Sequence, residues 1–211
     1  MRTETAGVTE TLIESAKKEF LEHGFQNANL RRISSESGVS TGSIYTRFGD
    51  KAGLFSAVVK PAADGLMELY LESITAARES GDPAEATSQG NEGTELELKY
   101  IYENFDVFKL IFCHSAGTEY EYYFYELAEI EEKYYRGFVK QFSRRENMVS
   151  GFFIHVICRT GWSYIYEVVS HDLSYDEAQI FMKSIREFCF AGWGKVLGQN
   201  YEDLGLEGLG E

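Results

Sequence analysis

Apolar residues recur at every fourth position near the start of the chain, which is the spacing of one face of an α-helix. Val8, Leu12, Ala16 and Phe20 form this series, and charged residues occupy the opposite face. Gly24 follows, and glycine readily takes the left-handed conformation in which many helices end. The pattern therefore predicts a first amphipathic helix that stops at this glycine.

Further cap and turn signals follow at short intervals. Asn29 is a suitable N-cap for a second helix, which should end at Gly38. Ser40 then caps a third helix, predicted over Thr41–Phe48, and Asp50 caps a fourth. Two short helices joined by a tight glycine turn are typical of a helix-turn-helix, whose second helix enters the major groove of DNA.

Many residues in the first 60 positions agree with one family pattern at fixed spacing, which makes the agreement specific. They are Ala16, Phe20, Gly24, Ile33, Gly38, Val39, Ser40, Gly42, Ile44, Tyr45, Phe48, Lys51, Leu54 and Phe55. The pattern resembles the tetracycline-repressor (TetR/AcrR-like) family of bacterial transcription regulators. The resemblance implies a homodimer that binds a palindromic operator in double-stranded DNA and responds to a small-molecule effector.

The chain departs from the usual family pattern at four positions. Ser34 and Ser37 stand where alanine is common, which keeps the side chains small but adds hydroxyls at the helix contact. Thr41 stands where lysine is frequent, and Arg47 where histidine is frequent. The last two changes bear on the base contacts that the resemblance would otherwise carry over.

The start of the third helix is the expected site of contact with DNA, because a recognition helix enters the groove by its N-terminal end. Thr41, Gly42 and Ser43 should lie near base edges or phosphates, and Gly42 permits close approach of the backbone. Arg47 lies about one turn further on with Thr46. It could make a bidentate contact to guanine or clamp a phosphate.

Three further residues complete the expected DNA-binding surface. The resemblance implies that Tyr45 and Lys51 contact phosphate. Lys51 also lies at a helix N-terminus, where free backbone amides favour an anion. Arg31 would reach the DNA backbone from the second helix, although it could equally remain a solvated surface charge.

The distribution of charge is compatible with this assignment. The net charge of −14 argues against a nucleic-acid binder only if the chain is taken as a whole. Residues 1–60 contain eight Lys or Arg and seven Asp or Glu, whereas residues 61–211 contain twelve and twenty-seven. Phosphate binding needs local positive charge, so the acidic remainder does not exclude it. The alternative is a helical ligand- or protein-binding module without independent DNA recognition.

The remaining sequence predicts an all-α fold of about nine helices in which a larger helical domain follows the N-terminal one. We expect a helix-turn-helix domain at residues 1–50, a connecting helix at 51–78, and an effector-binding and dimerisation domain at 79–211. Pro61 should kink or break the connecting helix, because proline lacks the N–H for an i→i−4 bond. The kink could act as a signalling hinge or be static.

Two patterns predict where the next helix begins. Residues 79–93 are rich in Gly, Ser, Asn, Asp and Glu, which is typical of a loop. Thr94 and Glu97 have capping-box spacing and predict a helix that continues to about Cys113. A further helix is predicted from about Glu119 to Phe142.

The C-terminal part offers a candidate dimer surface. The segment 148–169 is almost continuously apolar, but Arg159 near its centre would cost about 2.5–3.5 kcal/mol in a bilayer, so a buried soluble helix is expected. Ser174 and Glu177 form a capping box for the last helix. The resemblance implies that these two helices pair with their copies, and packing within one subunit is the alternative. The interface residues expected are Phe152, Val156, Arg159, Phe181, Ile185, Phe188 and Gly192.

The aromatic residues indicate an apolar pocket between helices. Fourteen Tyr and fifteen Phe occur in the chain, mostly beyond residue 60, and we expect about half of the candidates to be ordinary core. The acidic surroundings would suit a cationic lipophilic ligand. The candidate wall residues are Tyr100, Phe105, Phe108, Phe112, Tyr120, Phe124, His155, Trp162 and Tyr166.

No pattern indicates an enzyme, a metal site or a cofactor. Cys113, Cys158 and Cys189 are widely spaced and lack zinc-site spacing, which favours buried thiols in a reducing cytoplasm. Cys113 and His114 are adjacent, and adjacent residues point in different directions on a helix. The N-terminus is polar and acidic and predicts no signal peptide.

Overall fold

A computed structural model describes residues 7–80, 82–143 and 149–198 of the 211-residue chain. The regular structure of these residues is entirely helical, which confirms the all-α expectation. The nine helices found in them are α1 (Val8–Asn27), α2 (Leu30–Ser37), α3 (Thr41–Phe48), α4 (Lys51–Glu79), α5 (Pro83–Glu103), α6 (Phe105–Cys113), α7 (Tyr123–Phe142), α8 (Gly151–Ser170) and α9 (Tyr175–Leu197).

The chain divides into two compact units. The first contains the described residues up to Gly65 together with Asn104–Tyr123. Its core is aromatic, because the Phe55 ring packs edge-on against both Phe20, at 5.0 Å between centroids, and Phe25, at 5.4 Å. In this unit α1 packs against α2 and α6.

The caps predicted for the short helices are present. The Asn29 side chain accepts a hydrogen bond from the Arg31 amide at 2.8 Å, and Gly38 has the left-handed conformation with φ 68°. Ser40 Oγ accepts from the Ser43 amide at 3.2 Å. The caps satisfy backbone groups that a helix end leaves without partners, so these short helices begin and end where predicted.

Helix α1 differs from its predicted end. Gly24 takes a non-helical conformation with φ 69° and ψ 165°, but helical structure resumes and continues to Asn27. The Phe25 amide donates to the His114 carbonyl at 3.0 Å, so a contact distant in sequence fixes this last turn.

The second unit contains the described residues of Leu66–Glu103 and those from Phe124 onward. Ser174 and Glu177 form the predicted capping box at the start of α9. The Tyr102 hydroxyl donates to the Leu173 carbonyl at 2.9 Å, which ties α5 to the turn before α9. No helix among the described residues is long and apolar enough to cross a bilayer.

Helix α4 continues through Pro61 without interruption. Pro61 is exposed, and the alanines that follow it, Ala62 and Ala63, are 6% and 2% exposed. Packing of this buried face therefore maintains the helix despite the hydrogen bond that proline removes. The expected break is absent, and the kink stays a prediction.

The loop predicted at residues 79–93 is wrong, because most of it belongs to α5. The Asp82 side chain accepts from the amides of Ala84 and Glu85, at 2.9 and 3.0 Å, and Pro83 takes the first helical position, which it tolerates well. The tertiary packing of Ala86, 2% exposed, overrides the weak helix propensity of the segment.

The capping box predicted at Thr94 and Glu97 is also wrong. Thr94 lies inside α5, where its hydroxyl donates to the Gly90 carbonyl at 2.9 Å, and Glu97 is buried at 7% exposure. The helix then ends earlier than expected, at Glu103, and α6 begins separately at Phe105.

The start of α7 lies four residues later than predicted, at Tyr123. Hydroxyl groups stabilise turns in the preceding segment instead. Thr118 Oγ1 donates to the Ser115 carbonyl at 2.7 Å and accepts from the Tyr120 amide at 3.1 Å. Such local side-chain bonds to the backbone compete with helix formation.

Candidate nucleic-acid interface and ligand cavity

The turn between α2 and α3 is built from small side chains that bind its backbone. Ser34 Oγ donates to the Val39 carbonyl at 2.6 Å, and Ser37 Oγ accepts from the Val39 amide at 3.2 Å. Gly38 between them supplies the left-handed conformation. The two serines that depart from the family pattern therefore bind the Val39 carbonyl and amide, so their hydroxyls stabilise the turn.

The N-terminal end of α3 offers an accessible backbone. Gly42 is exposed, and a β carbon at this position would meet only Ser40 Oγ, at 3.8 Å. Thr41 and Ser43 are half-buried. The Thr46 hydroxyl is exposed but donates to the Gly42 carbonyl at 2.8 Å. A phosphate or base edge could therefore approach this helix end closely.

The larger side chains of this surface differ in accessibility. Tyr45 is 55% exposed, which is unusual for an aromatic residue without a partner surface. Arg31 is exposed on α2, and Arg47 is half-buried on α3. The structure thus presents Arg31 and Tyr45 to solvent.

Lys51 has an intramolecular role that the sequence did not indicate. Its ammonium donates to the carbonyls of Gln26 and Ala28, at 3.0 and 3.2 Å, and lies 4.7 Å from the centroid of the Phe25 ring. A cation is favourable there because carbonyl groups at a helix C-terminus carry partial negative charge. These partners are more than twenty residues away in sequence, so no local pattern could predict the contact.

An ion pair between a buried carboxylate and an exposed guanidinium joins α1 to α2. Glu19 is 6% exposed, and its Oε1 accepts from the Asn29 amide at 2.7 Å and from Arg32 Nε at 2.9 Å. Burial alone would raise the pKa of Glu19, but these hydrogen bonds and the nearby positive charges outweigh it and lower the pKa. The Arg32 guanidinium is therefore paired with Glu19 of the neighbouring helix.

The second unit contains a cavity of about 500 Å³, a volume typical of small-molecule sites. Residues of α4, α5, α7, α8 and α9 line it. The wall is largely aromatic, with the Tyr70 and Trp162 rings packed edge-on at 5.1 Å and the Tyr135 and Trp193 rings stacked at 5.0 Å. The aromatic lining residues are Tyr70, Tyr134, Tyr135, Phe138, Phe153, Trp162, Tyr164, Phe188, Phe190 and Trp193.

Two glutamates supply the charge of this cavity. Glu97 is buried, and burial raises its pKa to about 7 although a hydrogen bond with Ser73 lowers it. Burial, with the neighbouring charge of Glu97, raises the pKa of Glu131 to about 8. Within the part of the chain that the structure describes, Glu131 Oε2 is buried without a hydrogen-bond partner. The sequence assigned neither glutamate to a pocket, because acidic residues at helical spacing usually lie in solvent.

Only Trp162 of the expected pocket residues lines this cavity. Phe105, Phe108, Phe112 and Tyr120 belong to the first unit, where Phe108 is fully buried and the Tyr120 hydroxyl lies 3.0 Å from Ser56 Oγ. His155 lies 2.8 Å from Glu132 Oε2. Helical periodicity predicts which residues are buried, but not which buried face adjoins a cavity. The others that do not line it are Tyr100, Phe124 and Tyr166.

The residues expected at a dimer interface fall into two groups. Phe152, Val156 and Phe188 are 76%, 41% and 71% exposed, and Gly192 is also exposed. Arg159 and Phe181 instead make contacts within the chain, with the Tyr125 ring 4.6 Å from the guanidinium and the Tyr164 ring 6.2 Å from that of Phe181. Three of the expected interface residues also line the cavity, namely Ile185, Phe188 and Gly192.

Comparison with known proteins bears first on the N-terminal helices. Residues 12–58 match the family model described as bacterial regulatory proteins, tetR family. The HTH-type transcriptional repressor AcnR of Corynebacterium glutamicum is 37% identical over 62 residues, which cover 29% of this chain and 33% of that protein. The chain thus matches about a third of the length of this curated relative.

Solved structures resemble the fold across most of the chain at low sequence identity. The TetR-family regulator PfmR from Thermus thermophilus has a TM-score of 0.61 at 19% identity, covering 89% of this chain and 97% of PfmR. FadR from Bacillus subtilis, solved in complex with stearoyl-CoA, has a TM-score of 0.58 at 12% identity, covering 84% and 95%.

The fold and the turn between α2 and α3 define an all-α helix-turn-helix protein. Within that class, residues 12–58 are similar to the N-terminal helices of the tetR family of bacterial regulatory proteins.

Proposed function

We propose that this chain is a homodimeric, sequence-specific DNA-binding transcriptional regulator, a repressor that a small hydrophobic or aromatic effector releases from a palindromic operator. The observation that carries the proposal is the capped N-terminal end of α3, where Gly42 is open to solvent and Tyr45 is more than half exposed. The match of residues 12–58 to the TetR family supports the same function.

The proposed DNA contacts divide by chemistry. Thr41, Gly42 and Ser43 approach base edges or phosphates through the open helix end, and Arg47 binds guanine or phosphate. Tyr45 and Arg31 bind phosphate from exposed positions. Phosphate contacts fix position on the duplex, whereas base contacts provide the sequence preference.

The proposed dimer uses the outward faces of α8 and α9. Phe152 and Val156 are exposed one turn apart on α8, and Ile180 and Phe188 are 70% and 71% exposed on α9. A second copy that covers these side chains would remove apolar surface from water. Two DNA-binding domains related by a two-fold axis would then bind successive major grooves of a palindrome.

The second unit is the proposed site of the effector, because it contains an aromatic cavity of suitable volume. We further propose that residues 51–78 connect a DNA-binding domain at 1–50 to an effector and dimerisation domain at 79–211. The same proposal implies a cytoplasmic protein without catalytic activity. The alternative function is that of a helical ligand- or protein-binding module that does not recognise DNA by itself.

A selection of genomic fragments bound by the purified protein tests the function. We expect one palindromic sequence to be enriched, and Tyr45→Ala and Arg47→Ala each to weaken its binding about tenfold or more. Tyr122→Ala is the matched control, because Tyr122 is also exposed, at 60%, but lies outside α2 and α3. Recovery of no enriched sequence at low salt would favour the alternative function, a binding module without independent DNA recognition.

A further inference from the structure

Two of the three charged side chains among the described lining residues of the cavity are acidic. Glu97 and Glu131 both line it, and Arg186 is the only cationic side chain among the described lining residues. Arg186 Nη1 is already paired with Glu95 Oε1 at 2.7 Å. The cavity therefore combines aromatic walls with carboxylates that no cation of the lining offsets.

Glu131 lies close to the backbone of the facing helix. A β carbon at Gly161 of α8 would lie 3.7 Å from Glu131 Oε2, so the absence of a side chain there leaves room beside the carboxylate. Glu131 Oε2 is buried and has no hydrogen-bond partner in the part of the chain that the structure describes. Tyr70, on α4, also lines the cavity and is 6% exposed.

The groups that face Glu131 from the surrounding helices do not neutralise it. They are Tyr70 and Ser73 on α4, Glu97 on α5, Tyr134 and Tyr135 on α7 itself, Cys158 on α8, and Arg186 and Cys189 on α9. Burial, with the charge of Glu131, raises the pKa of Cys158 and of Cys189, so these thiols remain neutral.

We propose that the effector is an apolar organic cation, whose positive group binds between Glu131 and Glu97 and whose body packs against Tyr70, Trp162 and the other aromatic side chains. The identification of this ligand as the effector rests on the proposed function. The existence of the cation-binding site does not depend on it. Carboxylates and the faces of aromatic rings both attract a cation, and both effects are stronger in a cavity from which water is excluded.

Binding of a cation would relieve the unfavourable proximity of the two carboxyl groups. Two neighbouring carboxyl groups cannot both ionise in a buried site without cost, and burial raises their pKa values, to about 7 for Glu97 and about 8 for Glu131. A bound positive charge favours the ionised form, so binding of the ligand should release protons. Affinity for a permanent cation should therefore rise between pH 6 and pH 9.

Three probes with the same alkyl chain separate charge from hydrophobicity. Decyltrimethylammonium, 1-decanol and decanoate are titrated below their micelle concentrations, and binding is followed by the fluorescence of Trp162 and Trp193, which both line the cavity. We expect the cation to bind at least tenfold more tightly than the alcohol at pH 8, and decanoate to bind most weakly. Equal or tighter binding of the alcohol or of decanoate would overturn the proposal.

Substitutions locate the charge that is responsible. Glu131→Gln should weaken binding of decyltrimethylammonium about tenfold, flatten its pH dependence and leave 1-decanol within twofold. Glu129→Gln is the matched control, because Glu129 lies on the same helix but is exposed. Glu97→Gln provides a second, independent variant with the same expectation. Cation binding that survives both substitutions unchanged would contradict the assignment.

The binding assay contains no DNA, so its outcome does not depend on whether the proposed function is correct. Selective binding of the cation without any enriched operator would support the site and refute the regulator. An enriched operator together with a preference for the alcohol or for decanoate would support the regulator and overturn the cation site. Release of the operator by decyltrimethylammonium, lost in Glu131→Gln, would support both.

Discussion

Two glutamates with buried carboxylate oxygens, one in each unit of the molecule, have opposite surroundings. Glu19 in the N-terminal unit accepts hydrogen bonds from the Asn29 amide and the Arg32 guanidinium. Glu131 in the cavity has a buried carboxylate oxygen without a partner among the described residues. The pKa of Glu19 is lowered, whereas burial raises that of Glu131 to about 8.

The difference indicates what each group contributes. A carboxylate whose hydrogen bonds are all made holds two helices together in its charged form. A buried carboxyl without partners destabilises the folded chain, and such groups concentrate where a ligand completes their interactions. The contacts of Glu19 therefore stabilise the packing of α1 against α2, whereas Glu131 Oε2 is available to the cation that we propose.

The largest effect is expected from Glu19→Ala. The substitution leaves the Asn29 amide and the Arg32 guanidinium without their acceptor, and it should lower the free energy of unfolding by about 3 kcal/mol. Urea denaturation followed by circular dichroism measures this change. Glu22→Ala is the control, because the Glu22 side chain is 76% exposed on the same helix, and it should change stability by less than about 0.5 kcal/mol. Equal effects of the two variants would show that the hydrogen bonds of Glu19 do not stabilise the N-terminal unit.

The next effect, from Glu131→Gln, should have the opposite sign. At pH 8 the variant should be about 2 kcal/mol more stable than the parent, because an amide carries no buried charge. At pH 5, where the carboxyl is already protonated, the two should be nearly equal. Thermal denaturation at both pH values measures the difference, and a destabilised variant at pH 8 would show that the carboxylate has a partner that stabilises it.

The same two residues predict opposite limbs of the stability profile. A raised pKa in the folded state means that the contribution of Glu131 is present below its ordinary pKa of 4.5 and is lost as pH rises through about 8. A lowered pKa means that the contribution of Glu19 is present above 4.5 and is lost as pH falls through its folded pKa. Glu131→Gln should flatten the alkaline limb, and Glu19→Ala the acid limb.

The N-terminal domain could be predicted from its sequence because its determinants are local. Asn29, Gly38 and Ser40 each act on backbone groups within a few residues, so helix ends follow from short patterns. The contacts of Glu19 with Arg32 and of Lys51 with Gln26 join residues 13 and 25 positions apart. Nothing in the spacing of these residues distinguishes them from surface charges.

The cavity could not be predicted for the same physical reason. Its aromatic character was expected, but only Trp162 among the named residues lines it, because periodicity does not show which helix faces meet. Glu97 was taken as part of a capping box, and residues 79–93 as a loop. Burial against other helices decided both, and such packing is a property of the whole fold.

A smaller effect is expected from Lys51→Met, which sharpens the comparison within the N-terminal unit. Loss of the hydrogen bonds to Gln26 and Ala28 should lower the free energy of unfolding by about 1 kcal/mol. Lys60→Met on the same helix is the control, because the Lys60 side chain is 61% exposed and pairs with Asp64 one turn away. An unchanged stability, with a slope of DNA affinity against salt reduced by about one, would show that Lys51 binds phosphate instead.

The smallest effect is expected from Ser34→Ala, which restores the residue that is common in the family. Ser34 Oγ donates to the Val39 carbonyl at 2.6 Å, and its removal leaves that half-buried carbonyl to bind water, at a cost of about 0.5–1 kcal/mol. Ser35→Ala, at an exposed position on α2, should have no measurable effect. If Ser34→Ala were instead more stable than the parent, the hydroxyl would not stabilise the turn. The contrast between hydrogen-bonded polar groups in this unit and the unpartnered carboxylate of the cavity would then be weaker.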